Sequence, residues 1–177
     1  MRDRKLKEKK MVVVEDTVQM VTFQVGAEEY GLDITSITEV VRPLKITPLP
    51  HMPEFVEGVI NLRGVIIPIV DLRKRFALPA STENRKTMRM MITRGALYGG
   101  SGTGKELLGL VVDSVHEVLH VPKKNIDAAP HAATGEHSHF ITGMGKVGDR
   151  LIIMIDITRI LSQQERSALA EAKNAGY

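Results

Sequence analysis

A short apolar segment occurs twice in this chain, and this repeat constrains the fold more than any other feature of the sequence. Residues 66–72, IIPIVDL, match residues 151–157, LIIMIDI, at an offset of 85, and Gly58 matches Gly143 at the same offset. Both segments are rich in Val and Ile, which is typical of strands that are buried on both faces. The first segment follows a glycine bend at Gly64, so residues 58–72 are predicted to form two strands.

A second match supports the repeat. Residues 36–41, SITEVV, match residues 114–119, SVHEVL, at an offset of 78, in the same order along the chain as the first pair. We therefore interpret the chain as two related β halves, at 18–79 and 87–162, closed by a C-terminal helix predicted over 156–173. A chance likeness between apolar strands is the alternative, and the shared order of the matches argues against it. Short strands separated by turns favour small barrels, because closure removes exposed strand edges.

The composition narrows the function classes. The 177 residues include no cysteine, which excludes disulfides, thiolate metal sites and a cysteine nucleophile and is typical of a cytoplasmic protein. No apolar run reaches the ~18 residues that a membrane span needs. The net charge is +3, and much of it lies in a charged N-terminal extension over residues 1–16, which we expect to be mobile. The remainder is nearly neutral and poor in aromatic residues, so nucleic acid binding is not indicated.

One segment comes close to a nucleotide-binding motif. Residues 99–106, GGSGTGKE, nearly match the phosphate-binding sequence GxxxxGK[ST]. That motif needs a hydroxyl group after the lysine and a helix behind the loop, whereas here Glu106 follows the lysine and residues 107–112 are strand-like. A flexible hairpin loop is therefore favoured, and a nucleotide-binding protein is the alternative.

Other candidates for catalysis or metal binding are few. His131, His137 and His139 lie close together in a segment rich in Ala, Gly and Ser, and no thiolate accompanies them. We therefore expect no functional metal site and no cofactor. The sequence has no GxSxG motif and no pair of carboxylates that stands out, so no catalytic residue is predicted and the chain is not expected to be an enzyme.

Comparison of the two copies indicates different roles for the two charged residues within residues 58–72. Asp71 has an aspartate as its counterpart, Asp156, so both are predicted to be structural helix caps. Arg63 has Gly148 as its counterpart, which indicates that the fold does not require the arginine side chain. A guanidinium group can make several hydrogen bonds while its stem covers apolar surface, so Arg63 is a candidate for binding a partner. An ordinary salt bridge within the protein, or a solvated arginine, is the alternative.

Four segments of the chain resemble the CheW family of chemotaxis coupling proteins. They are EEYGLDITSITEVV (28–41), GVINLRGVIIPIVDLRKRF (58–76), LLGLVVDSVHEVL (107–119) and FITGMGKVGDRLIIMIDITRIL (140–161). Within the second segment, NLRGVIIPIVDLR is specific to the family, and the four segments occur in the family's order. The loop 95–106 is longer than is typical of the family, and the N-terminal extension has no clear counterpart there.

The resemblance implies an all-β fold of two small, five-stranded, SH3-like barrels packed around a shared apolar core, with a C-terminal helix. It implies a non-catalytic adaptor without a cofactor, which couples the cytoplasmic signalling tips of methyl-accepting chemoreceptors to the regulatory domain of the histidine kinase CheA. Such a protein is cytoplasmic, is recruited to membrane-associated receptor arrays, and supports kinase activation there. Contacts with other CheW copies are a further expectation, and an adaptor of a non-flagellar chemosensory pathway is the alternative.

The resemblance also implies five partner-binding residues. Arg63 matches the arginine of the family's NLRG motif, which is associated with receptor and kinase coupling. Ile37, Glu39 and Gly58 match positions tied to partner binding, and Val118 matches a position implicated in receptor interaction. The family's receptor contact is an apolar groove that takes a helical hairpin tip, which is the helix-in-groove mode of recognition.

Overall fold

The computed structural model describes residues 15–94, 106–129 and 139–174. Its strands are β1 (Thr17–Val25), β2 (Glu28–Asp33), β3 (Ile37–Val41), β4 (Val56–Leu62), β5 (Val65–Asp71), β6 (Arg89–Arg94), β7 (Leu107–Val112), β8 (Ser114–Pro122), β9 (Ile126–Ala128), β10 (Ile141–Val147) and β11 (Arg150–Ile155). The helices are α1 (Leu72–Arg75) and α2 (Gln163–Asn174), and short 3-10 turns cover Ile34–Ser36, Lys123–Asn125 and Ile157–Arg159. Residues 1–14 and 95–105, together with His131 and His137, lie outside the described residues.

Within the described ranges the strands form two sheets. The six-stranded sheet has the order β8-β1-β2-β11-β10-β9, and the five-stranded sheet has the order β3-β6-β7-β5-β4. The predicted all-β class with a C-terminal helix is therefore confirmed. The strand count differs from the expectation in one sheet, because the short β9 adds a sixth strand beside β10.

The two sheets do not coincide with the two halves 18–79 and 87–162, because the halves exchange strands. In the five-stranded sheet, β3, β4 and β5 pair with β6 and β7, and in the six-stranded sheet β8, β10 and β11 pair with β1 and β2. The repeat equates β1 with β6, β2 with β7, β3 with β8, β4 with β10 and β5 with β11. When each strand is replaced by its equivalent, the order of one sheet becomes the order of the other, apart from β9. Each sheet thus needs both halves, so neither half forms a sheet of its own.

The strand registers repeat as well. The parallel pair β5–β7 sets Ile69 opposite Gly109, and the parallel pair β11–β2 sets Met154 opposite Gly31. A Cβ atom added at Gly109 would lie 2.3 Å from the Ile69 Cδ1, and one added at Gly31 would lie 2.6 Å from the Met20 Sδ. Both copies therefore use a glycine at the same position to let side chains pack against the sheet.

The apolar core has three parts. The largest cluster lies between the sheets and contains residues of both, among them Phe23, Leu32, Met91 and Leu110. A second cluster, which includes Ile60 and Ile67, is built from the five-stranded sheet, and a third is built from the six-stranded sheet: Met20, Val121 and Ile152. The division matches the expected pair of small β units that share a central core.

The predicted caps are confirmed. The Asp71 Oδ1 accepts hydrogen bonds from the backbone N–H groups of Arg73 and Lys74 and so begins α1. The Asp156 Oδ1 accepts a hydrogen bond from the Thr158 N–H and begins a 3-10 turn. Burial raises the pKa of Asp71 above its ordinary value, and the two backbone hydrogen bonds oppose that shift. Both aspartates are therefore structural.

The predicted helix over 156–173 starts too early. Residues 157–159 form the 3-10 turn, and α2 begins at Gln163. The Glu165 N–H donates to the Ser162 Oγ at 3.2 Å, and the Glu165 carboxylate accepts from the Ser162 N–H at 2.6 Å. This reciprocal capping box starts the helix at a position that the apolar pattern does not show.

A buried arginine joins the two copies at the centre of the molecule. The Arg75 Nε donates a hydrogen bond to the carbonyl oxygen of Ile160 at 2.7 Å, and Ile160 is the residue equivalent to Arg75 at the offset of 85. Its guanidinium carbon lies 4.8 Å from the ring centroid of Phe55 and 5.8 Å from that of Phe140, which are also equivalent residues. Arg75 therefore marks the approximate two-fold axis and ties the copies together by cation–π contacts and a charged hydrogen bond.

Candidate functional site

The β4–β5 hairpin carries Arg63 at its tip. Arg63 and Gly64 form the two-residue turn, with φ angles of +50° and +84°. Two positive φ angles are typical of the type I′ turn, whose twist matches that of the flanking strands. The Gly64 N–H donates to the Asn61 Oδ1 at 2.8 Å and closes the turn. An arginine in the left-handed region costs about 1–2 kcal/mol relative to the right-handed conformation. Its presence at this tip therefore needs a reason other than local stability.

The structure brings Arg63 and Glu39 together. Their side chains form an ion pair that joins the hairpin tip to the edge strand β3. The Arg63 side chain is 69% exposed and that of Glu39 is 32% exposed. Exposed pairs of this kind contribute about 0–1 kcal/mol to the free energy of unfolding. The pair therefore orients two charges at the surface and adds little to the stability of the fold.

Apolar residues lie on either side of the hairpin tip and at the start of β7, the strand next to β5. Leu62 and Leu107 are half-buried against the core cluster of the five-stranded sheet, and Val65, which follows the turn, is 47% exposed. We call Glu39, Leu62, Arg63, Val65 and Leu107 the apolar rim. It combines contact area for an apolar partner with one guanidinium that can form new hydrogen bonds.

Gly58 acts through the backbone. It has a φ of +137° at a bulge in the β4–β5 ladder, and a Cβ atom there would lie 2.1 Å from the carbonyl oxygen of Thr47. Next to it, Val59 and Thr47 exchange two backbone hydrogen bonds of 2.8 and 2.9 Å. Gly58 thus allows the segment around Thr47 to close over β4. Its expected part in partner binding is indirect, since it presents no side chain.

Ile37 and Val118 occupy edge strands of different sheets. Ile37 lies on β3, the strand that also carries Glu39, and is half-buried against the central core. Val118 lies on β8 in the six-stranded sheet and is 47% exposed. Its equivalent in β3 is Val40, another exposed valine. Four of the five predicted residues therefore belong to the five-stranded sheet, and Val118 belongs to the matching edge of the other sheet.

Sequence comparison alone missed a second arginine. Arg150 lies at the start of β11, two residues after Gly148, and donates to the Glu117 Oε1 at 2.7 Å. It also makes two hydrogen bonds of 2.6 and 3.2 Å to the Glu29 carboxylate. Glu117 is the equivalent of Glu39, so the second copy also links its hairpin to its edge strand through an arginine and a glutamate. Gly148 therefore does not show that the link is dispensable. In the second copy the arginine of this link lies two positions later than the counterpart of Arg63.

The two arginines differ in how firmly they are held. The hydrogen bonds of Arg150 lower the pKa of Glu29, against the effect of its burial, and the two carboxylates raise the pKa of Arg150. His116 adds a contact of 3.2 Å from its Nδ1 to the Glu29 Oε1. We call Glu29, Glu117, Val147, Gly148 and Arg150 the charged rim. In the sequence, the GDR segment at residues 148–150 is the signal that could have indicated the charged rim.

Two further observations concern metal ions and membranes. Within the described ranges, no group of three or more His, Asp or Glu side chains is placed to hold a metal ion. His131 and His137 lie outside these ranges, so the expectation for the histidine cluster stays a prediction. In the same part of the chain, no helix has the length and apolar character to cross a membrane.

The chain is similar to known proteins over most of its length. A model of the CheW-like domain matches residues 19–165. Chemotaxis protein CheW of Klebsiella aerogenes is 35% identical over 147 residues, which are 83% of each chain. Chemotaxis protein CheW of Treponema pallidum is 34% identical over 164 residues, covering 90% of this chain and 91% of the relative. The crystal structure of the scaffolding protein TtCheW from Thermoanaerobacter tengcongensis is 36% identical, covers 85% of this chain and has a TM-score of 0.73.

The strand-exchanged pair of sheets and these similarities define a class of protein, the non-catalytic scaffolds of chemotaxis. The chain belongs to the CheW-like domain family. It is therefore an adaptor and not an enzyme, and the nucleotide-binding alternative is not favoured. The resemblance to the CheW family that the four sequence segments carry is confirmed.

Proposed function

We propose that this adaptor links the cytoplasmic tips of transmembrane chemoreceptors to the histidine kinase CheA in membrane-associated arrays. The apolar rim binds the regulatory domain of the kinase, and the β8 edge that carries Val118 contacts the receptor. The observation that carries the proposal is the exposed Arg63–Glu39 pair on a strained hairpin tip. A conformational cost without a stability benefit is typical of a functional residue.

The chemistry of the apolar rim suits a protein partner. Leu62, Val65 and Leu107 can lose water to an apolar surface, and each Å² so buried contributes about 25 cal/mol. Arg63 can exchange its exposed contact with Glu39 for a carboxylate or carbonyl of the partner at little cost. Arginine at the centre of an apolar patch is a frequent hot spot of protein interfaces.

Titration of the kinase regulatory domain into the adaptor tests this proposal. Arg63→Ala should weaken binding by at least about 2 kcal/mol, the usual threshold of a hot spot, while the unfolding midpoint changes little. Arg159→Ala is the matched control, because Arg159 is also exposed and ion-paired, with Asp156, but lies after β11 and away from the rim. Equal binding by both variants would refute the assignment of Arg63.

The receptor contact needs a separate measurement. Val118→Asp should reduce capture of the adaptor by a receptor signalling tip, because a charge on the exposed face opposes an apolar contact. Val40→Asp provides the matched change on the equivalent edge. Loss of receptor capture by the Val40 variant, with normal capture by the Val118 variant, would place the receptor on the other sheet.

A further inference from the structure

Four cationic side chains gather at the end of the five-stranded sheet that lies opposite the β4–β5 hairpin tip. They are Arg42, Arg85, Lys86 and Arg89, which we call the basic end. Arg42 follows β3 and lies one step beyond the pair Val41–Met90, across from Arg89. The Arg89 Nη1 donates a hydrogen bond to the carbonyl oxygen of Lys86 at 3.2 Å, and Arg85 precedes Lys86 in the same exposed turn. The strand pairing and this turn therefore bring the four cations together.

No carboxylate neutralises the basic end. Within the described residues, none of its four side chains forms an ion pair. The side chain of Arg89 donates only to the backbone carbonyl oxygens of Lys86 and Met88. Glu83, which lies two residues before Arg85, is not ion-paired with any of the four. An uncompensated cluster of this kind creates a positive potential that attracts acidic molecules.

The equivalent end of the six-stranded sheet has a different charge balance. Because β1 is equivalent to β6 and β3 to β8, the counterparts of Arg42, Arg85, Lys86 and Arg89 are His120, Glu15, Asp16 and Gln19. There Asp16 pairs with Lys123 at 2.8 Å and Glu15 pairs with Lys124 at 2.6 Å. The same backbone positions thus carry balanced charge in one copy and unbalanced charge in the other. The fold therefore does not require four cations at these positions.

Exposed apolar side chains adjoin the basic end. Val40 on β3 and Leu44, two residues after Arg42, are each 39% exposed. Guanidinium groups bind carboxylates through paired hydrogen bonds, and apolar residues between those carboxylates could cover the two exposed side chains. A nucleic acid is less suited to this surface, because no Phe or Tyr among the described residues is exposed for stacking on bases. Charge and apolar area together favour an acidic protein segment.

We propose that the basic end, with Val40 and Leu44, is a docking site for an acidic segment of a partner protein, in which apolar residues are interspersed among glutamates or aspartates. The site goes beyond the proposed function, because it lies at the opposite end of the sheet from Arg63 and involves neither the kinase domain nor the receptor tip. Its positive potential steers the acidic segment towards it, and added salt weakens the association.

Fluorescence anisotropy with a labelled peptide of glutamate and leucine residues tests the proposal. The native chain should bind this peptide, and should not bind the same peptide with glutamine in place of glutamate. Arg42→Glu combined with Arg85→Glu should weaken binding at least about tenfold, because two attractions become repulsions. Failure of the native chain to bind the acidic peptide would overturn the proposal.

The matched control reverses two charges at the equivalent end of the other sheet. Lys123→Glu combined with Lys124→Glu changes the net charge by the same amount and leaves the basic end intact, so the peptide affinity should stay close to that of the native chain. The N-terminal extension is the same in both variants, so its cations cannot produce a difference between them. Equal affinities of the two variants would overturn the proposal.

Other polyanions are tested in the same way, with a single-stranded oligonucleotide and with phosphatidylserine vesicles. The account expects both to bind more weakly than the acidic peptide at the same salt concentration. Tighter binding of either, removed by the Arg42 and Arg85 reversals and kept in the lysine control, would overturn the assignment to a protein segment.

A further measurement does not depend on the folding of the charge-reversed variants. The chain has no cysteine, so Leu44→Cys and Val118→Cys each provide a single exposed thiol, one beside the basic end and one on the edge of the other sheet. The acidic peptide should slow alkylation of the thiol at position 44 and leave that at position 118 unchanged. Protection of both thiols, or of neither, would overturn the proposal.

Discussion

The β4–β5 and β10–β11 hairpins are the same unit used twice, and they hold their arginines differently. Both have a bulge near the start of the ladder, at Gly58 and Gly143, and both lead into an aspartate cap. In the second hairpin Arg150 is bound by two carboxylates, that of Glu29 on the adjacent strand β2 and that of Glu117 on the edge strand β8. In the first, Arg63 sits on a strained tip and pairs with Glu39 in water. A duplicated fold can thus hold one arginine within its structure and leave the other exposed, where we propose that it meets a partner.

The largest effect is expected at the two bulge glycines. Gly58→Ala combines a positive φ with a Cβ placed 2.1 Å from a backbone oxygen, so we expect a loss of about 3 kcal/mol in the free energy of unfolding. At Gly143 the added Cβ would lie 2.8 Å from the carbonyl oxygen of Asp127, without a positive φ, and we expect about 1–2 kcal/mol. Urea unfolding of both variants measures the difference. Equal losses would show that the bulges are equivalent.

The next largest difference in the free energy of unfolding is expected between alanine substitutions of the two arginines. Arg150→Ala leaves the half-buried Glu29 without its principal partner. Because the arginine side chain is 40% exposed and water screens the pair, we expect a loss of about 1–2 kcal/mol, below the 3–5 of a buried pair. Arg63→Ala should change the free energy of unfolding by less than about 1 kcal/mol. A larger loss for Arg63→Ala would reverse the roles assigned to the two residues.

A smaller effect is expected in the dependence of the free energy of unfolding on pH, through Glu29 of the charged rim. Arg150 lowers the pKa of Glu29 below its ordinary value of 4.5, so ionised Glu29 stabilises the folded state. This stability is complete above that value and is lost as the pH falls through the lowered folded pKa. Glu29→Gln should therefore show a weaker loss of stability than the native chain between pH 5 and pH 3, roughly the window in which such a carboxylate titrates. An identical slope in both proteins would mean that Glu29 is not held by Arg150.

Much of the fold could be predicted from the sequence, because hydrophobic patterning and the repeat depend on local residue order. The Asp71 and Asp156 caps followed from their equal places in the two copies, and the structure has both. The exchange of strands could not be predicted, because it depends on which strands lie side by side and not on the strands themselves. The late start of α2 at Gln163 was missed because the apolar period runs on through the preceding 3-10 turn.

The candidate site was predicted in part. Arg63 stood out because its counterpart is a glycine, and Glu39 came from the family resemblance, but their contact is a tertiary feature. Arg150 escaped notice because equivalence was judged position by position, whereas a side chain as long as that of arginine can reach the same glutamate from two residues away. Comparison at a fixed sequence offset therefore identifies equivalent backbone positions well. It identifies equivalent contacts of long charged side chains poorly.

Arg63→Gly, with thermal unfolding and kinase activation measured on the same preparation, tests directly whether Arg63 is held at this tip for a partner. Glycine suits the positive φ of the tip, so we expect a free energy of unfolding that is unchanged or higher by up to about 1 kcal/mol. We also expect a marked fall in kinase activation in a reconstituted receptor array. Normal activation per folded molecule, with or without a loss of stability, would contradict the claim that Arg63 is held at this tip for a partner.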